Sequence, residues 1–405
     1  MYKVSIVVPV YNVEKYIIRC AESLFQQTLD SIQFIFVNDL SPDNSIPLLE
    51  KTLERYPQRK PQTIILHHPK NMGLPTARAT GIIHAEAPYV IHCDSDDYVE
   101  PTMCAKLYEH ALQNNSDMVI CGRIVHSING REFLCFDKPT PDDSLLNNCL
   151  NGRLSPVVWG RLIKTDICRL VHYPTENYFE DRVQTVQLLT YAKRISFLNE
   201  PLYHYNRHSN SITTNKRPEV IGENIRQCIA NYNLMHEFII KNKLAKEQDF
   251  ALNKTYIRKL FLPLIKQRNI RKQYLQTFPE LNFSMLFNRN ISLFDKGVHL
   301  LVLFGLYPLA KPLYNLSKKY YYRIVHCFFA FWGNPEGIKF AVNELVKLMK
   351  LDKGDAKFEK EDQKISIVGD LMLSLDKEAK PSEEIMLHTV KGDRLLGCLT
   401  CAAPR

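Results

Sequence analysis

Residues 94 to 97 read Asp94-Ser95-Asp96-Asp97 and follow directly on the apolar run Tyr89-Val90-Ile91-His92-Cys93, so several carboxylates stand where a buried strand would reach the surface. Carboxylates crowded at such a point repel one another unless a cation, basic partners or water compensate. Mg²⁺ and Mn²⁺ are commonly held by one or two such groups together with substrate phosphates. The pattern therefore points to a divalent cation held against a phosphorylated ligand. A solvated acidic turn competes with that explanation, because Asp is also an ordinary turn and N-cap residue.

The elements that must position these carboxylates can be traced upstream. Residues 3 to 10, Lys3-Val4-Ser5-Ile6-Val7-Val8-Pro9-Val10, form a β-branched run of the length expected for a strand buried on both faces. It ends in Tyr11-Asn12 and is followed by a helical pattern with apolar Tyr16, Ile17, Cys20, Leu24 and Phe25. A second run, Gln33-Phe34-Ile35-Phe36-Val37, ends in Asn38-Asp39 before another helical pattern of Ile46, Leu48, Leu49 and Leu53. A third, Thr63-Ile64-Ile65-Leu66-His67, ends in the loop Asn71-Met72-Gly73-Leu74-Pro75, and the fourth carries the Asp cluster. Strand and helix alternating at this spacing predict an α/β fold with a largely parallel sheet and right-handed crossovers. Ligands of such sheets bind beyond the carboxyl ends of the strands, which is where Tyr11, Asp39 and Asp94 to Asp97 fall.

Four ordered motifs at these intervals are more specific than any one alone: Val4 to Asn12, Val37-Asn38-Asp39, Asn71-Met72-Gly73-Leu74-Pro75-Thr76-Ala77-Arg78-Ala79-Thr80-Gly81, and Asp94-Ser95-Asp96-Asp97-Tyr98. Together they resemble the family 2 glycosyltransferases with the GT-A fold, of the bacterial surface-polysaccharide type. The resemblance continues through Trp159-Gly160-Arg161-Leu162-Ile163-Lys164, Tyr178-Phe179-Glu180-Asp181, Tyr203-His204-Tyr205-Asn206-Arg207 and Asn210-Ser211-Ile212-Thr213. It covers about residues 1 to 215, roughly half of the chain. It implies a Rossmann-like, mostly parallel sheet flanked by helices, and inverting transfer of a sugar from a nucleotide-diphosphate donor, usually with Mg²⁺ or Mn²⁺.

By this resemblance Pro9 and Tyr11 would wall the base side of the nucleotide pocket. Asp39 would accept a hydrogen bond from the base, usually uracil. Arg78 would contact the nucleotide or diphosphate through its planar fork, a surface or sheet-edge arginine being the alternative. Asp94 would lie near the ribose and Asp96 would ligate the metal, while Asp97 caps the next helix or orients its neighbour. An inverting displacement needs a carboxylate to take the acceptor hydroxyl's proton. The resemblance gives that role to Asp181, with Glu180 in support, although an acidic first turn also favours a helix dipole. Trp159 would line the acceptor or sugar pocket, or else be a core tryptophan. Arg207 is the candidate diphosphate contact of a segment that closes over the donor; His204 or His208 could complete the metal shell, but an ordinary surface histidine is the better reading of each. One departure stands out: Leu40 occupies the position after Asn-Asp where the family usually carries glycine. A leucine does not take positive φ cheaply, so a different turn is expected there.

Beyond residue 215 the character changes. Residues 216–332 read as a helical extension, basic at Arg258, Lys259, Lys266, Arg268, Arg271 and Lys272, with aromatics dense from Phe283 to Trp332. Tyr320-Tyr321-Tyr322 and Phe328-Phe329-Ala330-Phe331-Trp332, interleaved with Lys311, Lys318, Lys319 and Arg323, suit peripheral contact with an anionic membrane. An ordinary helical core competes at equal weight. The run His299 to Ala310 is short of the about 20 apolar residues that span a bilayer. Residues 333–405 resemble nothing recognised; a helix at about Ile338 to Lys350 and strands around Ile365 to Leu373 are expected, and the lone Cys398/Cys401 pair is a weak metal signal.

The 405 residues carry a net charge of +9, which fits anionic partners such as a nucleotide diphosphate, and no nucleic-acid module accompanies the basic stretches. Eleven scattered cysteines fit a reducing compartment. A strand that starts almost at residue 1 leaves no room for a signal peptide. The expectation is a cytoplasmic enzyme, peripheral at the inner face of the cell membrane, adding one sugar from a UDP-type donor to a glycan or lipid-linked acceptor. A nucleotidyltransferase is the enzymatic alternative, disfavoured because Pro9-Val10-Tyr11-Asn12 is not a phosphate loop. A non-catalytic scaffold is the other.

Overall fold

The computed structural model describes residues 1–128, 130–208, 217–288, 291–306, 308–310 and 314, and the backbone of four strands between 364 and 399. Residues Met1–Pro308 form one compact unit, and Leu309–Arg405 another. In the first, β1 (Val4–Val10), β2 (Ile32–Asn38), β3 (Thr63–His67) and β4 (Tyr89–His92) alternate with α1 (Ile17–Phe25), α2 (Ser45–Glu54) and α3 (Leu74–Ile83). These strands lie in the order β3-β2-β1-β4, all parallel. This half of the sheet is the one the sequence pattern predicts.

The other half is mixed. It comprises β5 (Tyr98–Val99), β6 (Met118–His126), β7 (Glu132–Cys135), β8 (Arg161–Lys164) and β9 (Ile195–Asn206), and with them α4 (Met103–Gln113), α5 (Leu145–Leu150), α6 (Thr165–Leu170) and α7 (Glu180–Tyr191). β8 runs antiparallel to both β4 and β6, β9 is parallel to β6, and β5 is antiparallel to β9. The sheet turns from parallel to mixed at β4, the strand that delivers the Asp cluster.

Both faces of β1 are buried, which is why its residues need not alternate with polar ones. Val4, Ile6, Val8 and Val10 pack with α1 and α4 on one side, while Val7 joins Ala77 and Ile82 of α3 on the other. α3 approaches β1 closely at Gly81: a Cβ built there would lie 2.3 Å from Val7 Cγ1.

Residues after 215 supply α8 (Pro218–Lys241), α9 (Ala251–Lys259), α10 (Arg268–Gln276), α11 (Leu281–Phe287) and α12 (Leu293–Leu303). Ile221, Ile225, Cys228, Tyr232, Met235 and Ile239 make the buried stripe of α8, and its principal neighbour is α7. Phe283, Phe287 and Phe304 stay exposed. No helix among the described residues is long and apolar enough to cross a membrane. The second unit contributes an antiparallel sheet of β10 (Lys364–Ser366), β11 (Leu371–Ser374), β12 (Ile385–Thr389) and β13 (Gly392–Leu399), with the first two where strands were expected. The aromatic groups at 320–322 and 328–332, the basic residues 311, 318, 319 and 323, the helix at 338–350, the motif 210–213 and the side chains of Cys398 and Cys401 lie outside the described residues.

Gly81→Ala adds helix propensity of about 1 kcal/mol, but the methyl group must displace Val7 from a filled core. Overpacking of this kind costs about 1–3 kcal/mol, so the variant is expected to unfold at lower urea concentration than the parent, as followed by far-ultraviolet dichroism.

Candidate active site

The strand β4 ends at His92, and the following turn places oxygens of Asp94, Asp96 and Asp97 within 4.8 Å of one another. Asp97 is buried and already committed, accepting from the Tyr203 hydroxyl at 2.8 Å and the Asn206 amide at 2.7 Å, bonds that tie the turn to β9. Burial pushes its carboxyl well above the ordinary range. Asp94 and Asp96 are half-buried and face outward. Burial raises Asp94 to about 6 despite the adjacent Arg78. Asp96 Oδ2 lies 2.8 Å from His208 Nε2, and the His208 ring stacks on Tyr16 at 4.4 Å. His208 is thus not an ordinary surface histidine: the sequence signal that marks it is its place just past β9, two residues beyond Asn206. Two outward carboxylates, a third behind them and an imidazole nitrogen at the edge form an oxygen-rich donor set that fits Mg²⁺ or Mn²⁺.

Across the site stands the second acidic pair. Phe179 has φ of +78°, and the left-handed turn at this residue starts α7 with Glu180 and Asp181 in its first turn. The preceding loop is held by the helical extension. Asn231, fully buried on α8, donates to the carbonyls of Glu176 and Tyr178, and Gln227 accepts from the Tyr178 amide. Arg182 of α7 donates to Asn253 of α9 and covers the Phe179 ring at 4.4 Å. The extension therefore fixes the position of the acidic pair, a role no motif in the sequence announces.

Arg78 joins the two acidic groups. It projects from α3, is fully buried, and donates through Nη1 to Glu180 and Asp181, both at 2.8 Å, and through Nη2 to Asp94 at 2.7 Å. Burial works against its charge, but Asp181, Asp94 and Glu180 outweigh that and hold the guanidinium firmly protonated. Burial raises Glu180 well above the ordinary carboxylate range. Beside Arg78, buried His92 is kept neutral, its pKa lowered to about 3 by burial and then by the guanidinium. The sequence placed Arg78 on the nucleotide; in the structure both terminal nitrogens are occupied by carboxylates.

Of the residues expected to wall a nucleotide, Pro9 lies within buried β1 and Tyr11 just past its end, 46% exposed. Asp39 is buried at the end of β2. It accepts from the Met72 and Gly73 amides at 2.7 and 2.8 Å and pairs with His68 at 2.7 Å, so it shapes the loop that opens α3. Leu40 does take positive φ, +56°. The altered turn expected from the missing glycine does not occur: the exposed side chain accepts a strain of about 1–2 kcal/mol. Arg207 follows β9, half-buried, its amide bonded to the His126 carbonyl. Trp159 is 7% exposed and stacks on Tyr203 and Tyr205 at 4.6 and 5.1 Å, beneath the same turn.

Residues 5–151 match the model of glycosyl transferase family 2. Over those residues the chain is similar to that family, and its sheet, parallel in one half and mixed in the other and flanked by helices, fits the GT-A fold that the sequence implied. Among curated relatives, the uncharacterized glycosyltransferase EpsJ of Bacillus subtilis is 34% identical over 221 residues, covering 52% of this chain and 62% of EpsJ. The matched part thus spans about three-fifths of that relative. Glycosyltransferase GlyG of Streptococcus pneumoniae is 26% identical over 247 residues, 56% of this chain and 80% of GlyG. A solved structure of S. aureus TarS 1-349 in complex with UDP-GlcNAc is 18% identical with a TM-score of 0.47, covering 68% of this chain and 89% of that one.

Arg78→Ala strands three carboxylates around a buried gap. Losing one partner of a buried ion pair costs about 3–5 kcal/mol, and that loss is expected near pH 8. Without the guanidinium, the carboxyls' folded pKa values rise above their unfolded values, so the folded state binds the extra protons and the variant regains stability as pH falls toward 5. Urea denaturation at both pH values checks this; a destabilisation independent of pH would show that the loss is one of packing.

Proposed function

We propose that the chain is a metal-dependent inverting glycosyltransferase. It moves a sugar from a nucleotide-diphosphate donor, a UDP-sugar by similarity to the family, to a hydroxyl of a glycan or lipid-linked acceptor in surface polysaccharide synthesis. The observation that carries this reading is the pairing of Asp94, Asp96 and Asp97 on one side of Arg78 with Glu180 and Asp181 on the other. One acidic group suits a cation and diphosphate, and the other suits a base.

Asp94 and Asp96, with His208 beside them, would hold Mg²⁺ or Mn²⁺, which when bound neutralises charge on the departing diphosphate. Tyr11 offers its exposed ring to the base and Asp39 its remaining acceptor capacity, while Arg207 approaches the diphosphate from the end of β9. Asp181 takes the proton of the acceptor hydroxyl. Because Arg78 Nη1 holds Oδ1, the other oxygen is the one that serves. The hydroxyl oxygen then bonds to the anomeric carbon as that carbon's bond to the diphosphate oxygen breaks, the electron pair leaving with the nucleotide and the configuration inverting. Glu180 positions Asp181 through the shared guanidinium, and Trp159 backs the sugar side.

Residues 1–215 carry this chemistry, with 216–332 as a bracing extension and 333–405 as a separate tail. The exposed Phe283, Phe287 and Phe304 support peripheral attachment of the extension to the cytoplasmic face of the membrane.

Purified protein should bind one UDP-sugar among UDP-, GDP- and dTDP-sugars, and only with Mn²⁺ or Mg²⁺ present. Asp96→Ala is expected to lose that binding. Asp181→Asn should keep it while transfer falls about 10²–10⁴-fold, the range for loss of a general base. A folded protein that binds no donor under any of these conditions would sink the transferase reading.

A further inference from the structure

A second polar cluster lies on the face shared by β5, β6 and β9. Tyr98 pairs with His204 across β5 and β9, and His126 stands one step further along β6 on the same face. His126 Nε2 and His204 Nδ1 face each other at 2.9 Å, and the Tyr98 oxygen is 2.9 Å from the same His126 nitrogen. The outer nitrogen of each imidazole meets a carboxylate: His204 Nε2 lies 2.7 Å from Glu100 and His126 Nδ1 3.1 Å from Glu132.

Counting protons shows what this arrangement lacks. A carboxylate fixes the hydrogen on the nitrogen that faces it, so in neutral rings both outer nitrogens carry the proton and both inner ones are bare. Two bare lone pairs at 2.9 Å repel. The Tyr98 hydroxyl can donate to one of them but not to both, so a positive charge is needed between the rings. Charge in the surroundings agrees: Glu100 and Glu132 face the pair, and among the described residues the cation against it is Arg19, 4.2 Å above the Tyr98 ring. Two carboxylates and one guanidinium leave a deficit of one positive charge. Carboxylates on the outer nitrogens are also the arrangement that orients metal-binding imidazoles and raises their basicity.

We propose that His126, His204 and Tyr98 form a site for a borderline divalent cation of the zinc class, ligated by His126 Nε2, His204 Nδ1 and the Tyr98 oxygen, with solvent completing the shell. Imidazole nitrogen with one phenolic oxygen suits such a metal better than it suits Mg²⁺. Tetrahedral Zn²⁺ with Zn–N of about 2.0–2.1 Å sets its nitrogens roughly 3.3 Å apart, so the rings, now end to end with centroids 5.2 Å apart, must part by about 0.4 Å and tilt off their common line. Both sit at strand ends with side chains 18% and 10% exposed, which leaves a path for the ion. The site is separate from the carboxylates assigned to the donor cation and does not rest on the transferase reading. Its position one strand pair away makes it a clamp between β6 and β9, whose continuation carries Arg207 and His208.

The test uses metal-free full-length protein carrying Asp96→Ala, which silences the donor-side cation. Titrated with Co²⁺, it is expected to show one equivalent of intense visible absorbance from nitrogen-ligated cobalt, abolished by Zn²⁺. His126→Ala and His204→Gln, each shown to be folded by its dichroism spectrum, should lose the absorbance. Glu100→Gln should keep it with affinity about 10–100-fold weaker, an effect that a merely structural carboxylate would not produce. Absence of the absorbance in the folded parent, or its survival in both histidine variants, overturns the site. Failure of donor binding and sugar transfer in the protein with Asp96 intact, with the cobalt signal present, would count against the transferase reading alone. If the histidines titrate in nuclear magnetic resonance spectra but take up no metal, a shared proton fills the gap and the metal site is wrong.

Discussion

The guanidinium of Arg78 is the point on which the rest of the site depends. Five carboxylates, Asp94, Asp96, Asp97, Glu180 and Asp181, are gathered at one rim of the sheet, and three of them meet on this single buried cation. Buried like charges cannot be held together by packing alone; at low local dielectric the repulsion of any two would exceed what a few apolar contacts return. Arg78 can bridge them because it combines a planar fork with a pKa high enough to stay charged out of water. It comes from α3, which Gly81 lets settle directly on β1. The parallel half of the sheet therefore supplies the cation and, through β4, the Asp turn, while α7 of the mixed half supplies Glu180 and Asp181.

That division explains what could be read from the sequence. The strands and helices of the parallel half follow from β-branched runs and 3.6-residue patterns, and the strand ends agree with expectation to within a residue. The acidic residues of the site were visible because they fall in ordered motifs that resemble a known family, since Asp and Glu are by themselves ordinary at turns and helix starts. The partner of Arg78 was not visible: sequence shows an arginine on a helix beside a presumed phosphate site, whereas its actual neighbours come from positions 94, 180 and 181. Long-range pairing of this kind is carried by the fold and leaves no local periodicity. His208 could be named from the sequence only as the less favoured metal ligand for the same reason, since it is the approach of β9 to the Asp turn that puts it on Asp96. The antiparallel β8 and the parallel return of β9 were equally hidden, because β8 is only four residues long and β9 is a mixed polar and apolar segment with no clean alternation.

Backbone strain is also concentrated at this rim. Asn12 after β1, Leu40 after β2 and Phe179 before α7 all have positive φ without being glycine. Each costs about 1–3 kcal/mol and persists only where the surroundings over-determine it. The surroundings do so here through side chains bonding to loop amides: Ser41 to the Asn12 amide, Asn38 to the Ser41 amide, and Asp39 to the amides at 72 and 73. Leu40 keeps a conformation that suits glycine because the residues on both sides of it are fixed. The missing glycine thus changes the energy of the turn and leaves its path intact.

The helical extension carries the same logic to the other side of the site. Asn231 and Gln227 grip the backbone before Phe179, and Asn253 holds Arg182 just after Asp181. A base that must reach a hydroxyl within about 3 Å tolerates little misplacement, and the first turn of α7 alone, entered through a strained residue, would not hold that tolerance. The extension is therefore part of the machinery that orients Asp181, although it contributes no residue to the acidic groups. A change in how α8 packs would be transmitted first to Glu180 and Asp181 and then through Arg78 to Asp94, because that guanidinium links the two acidic groups.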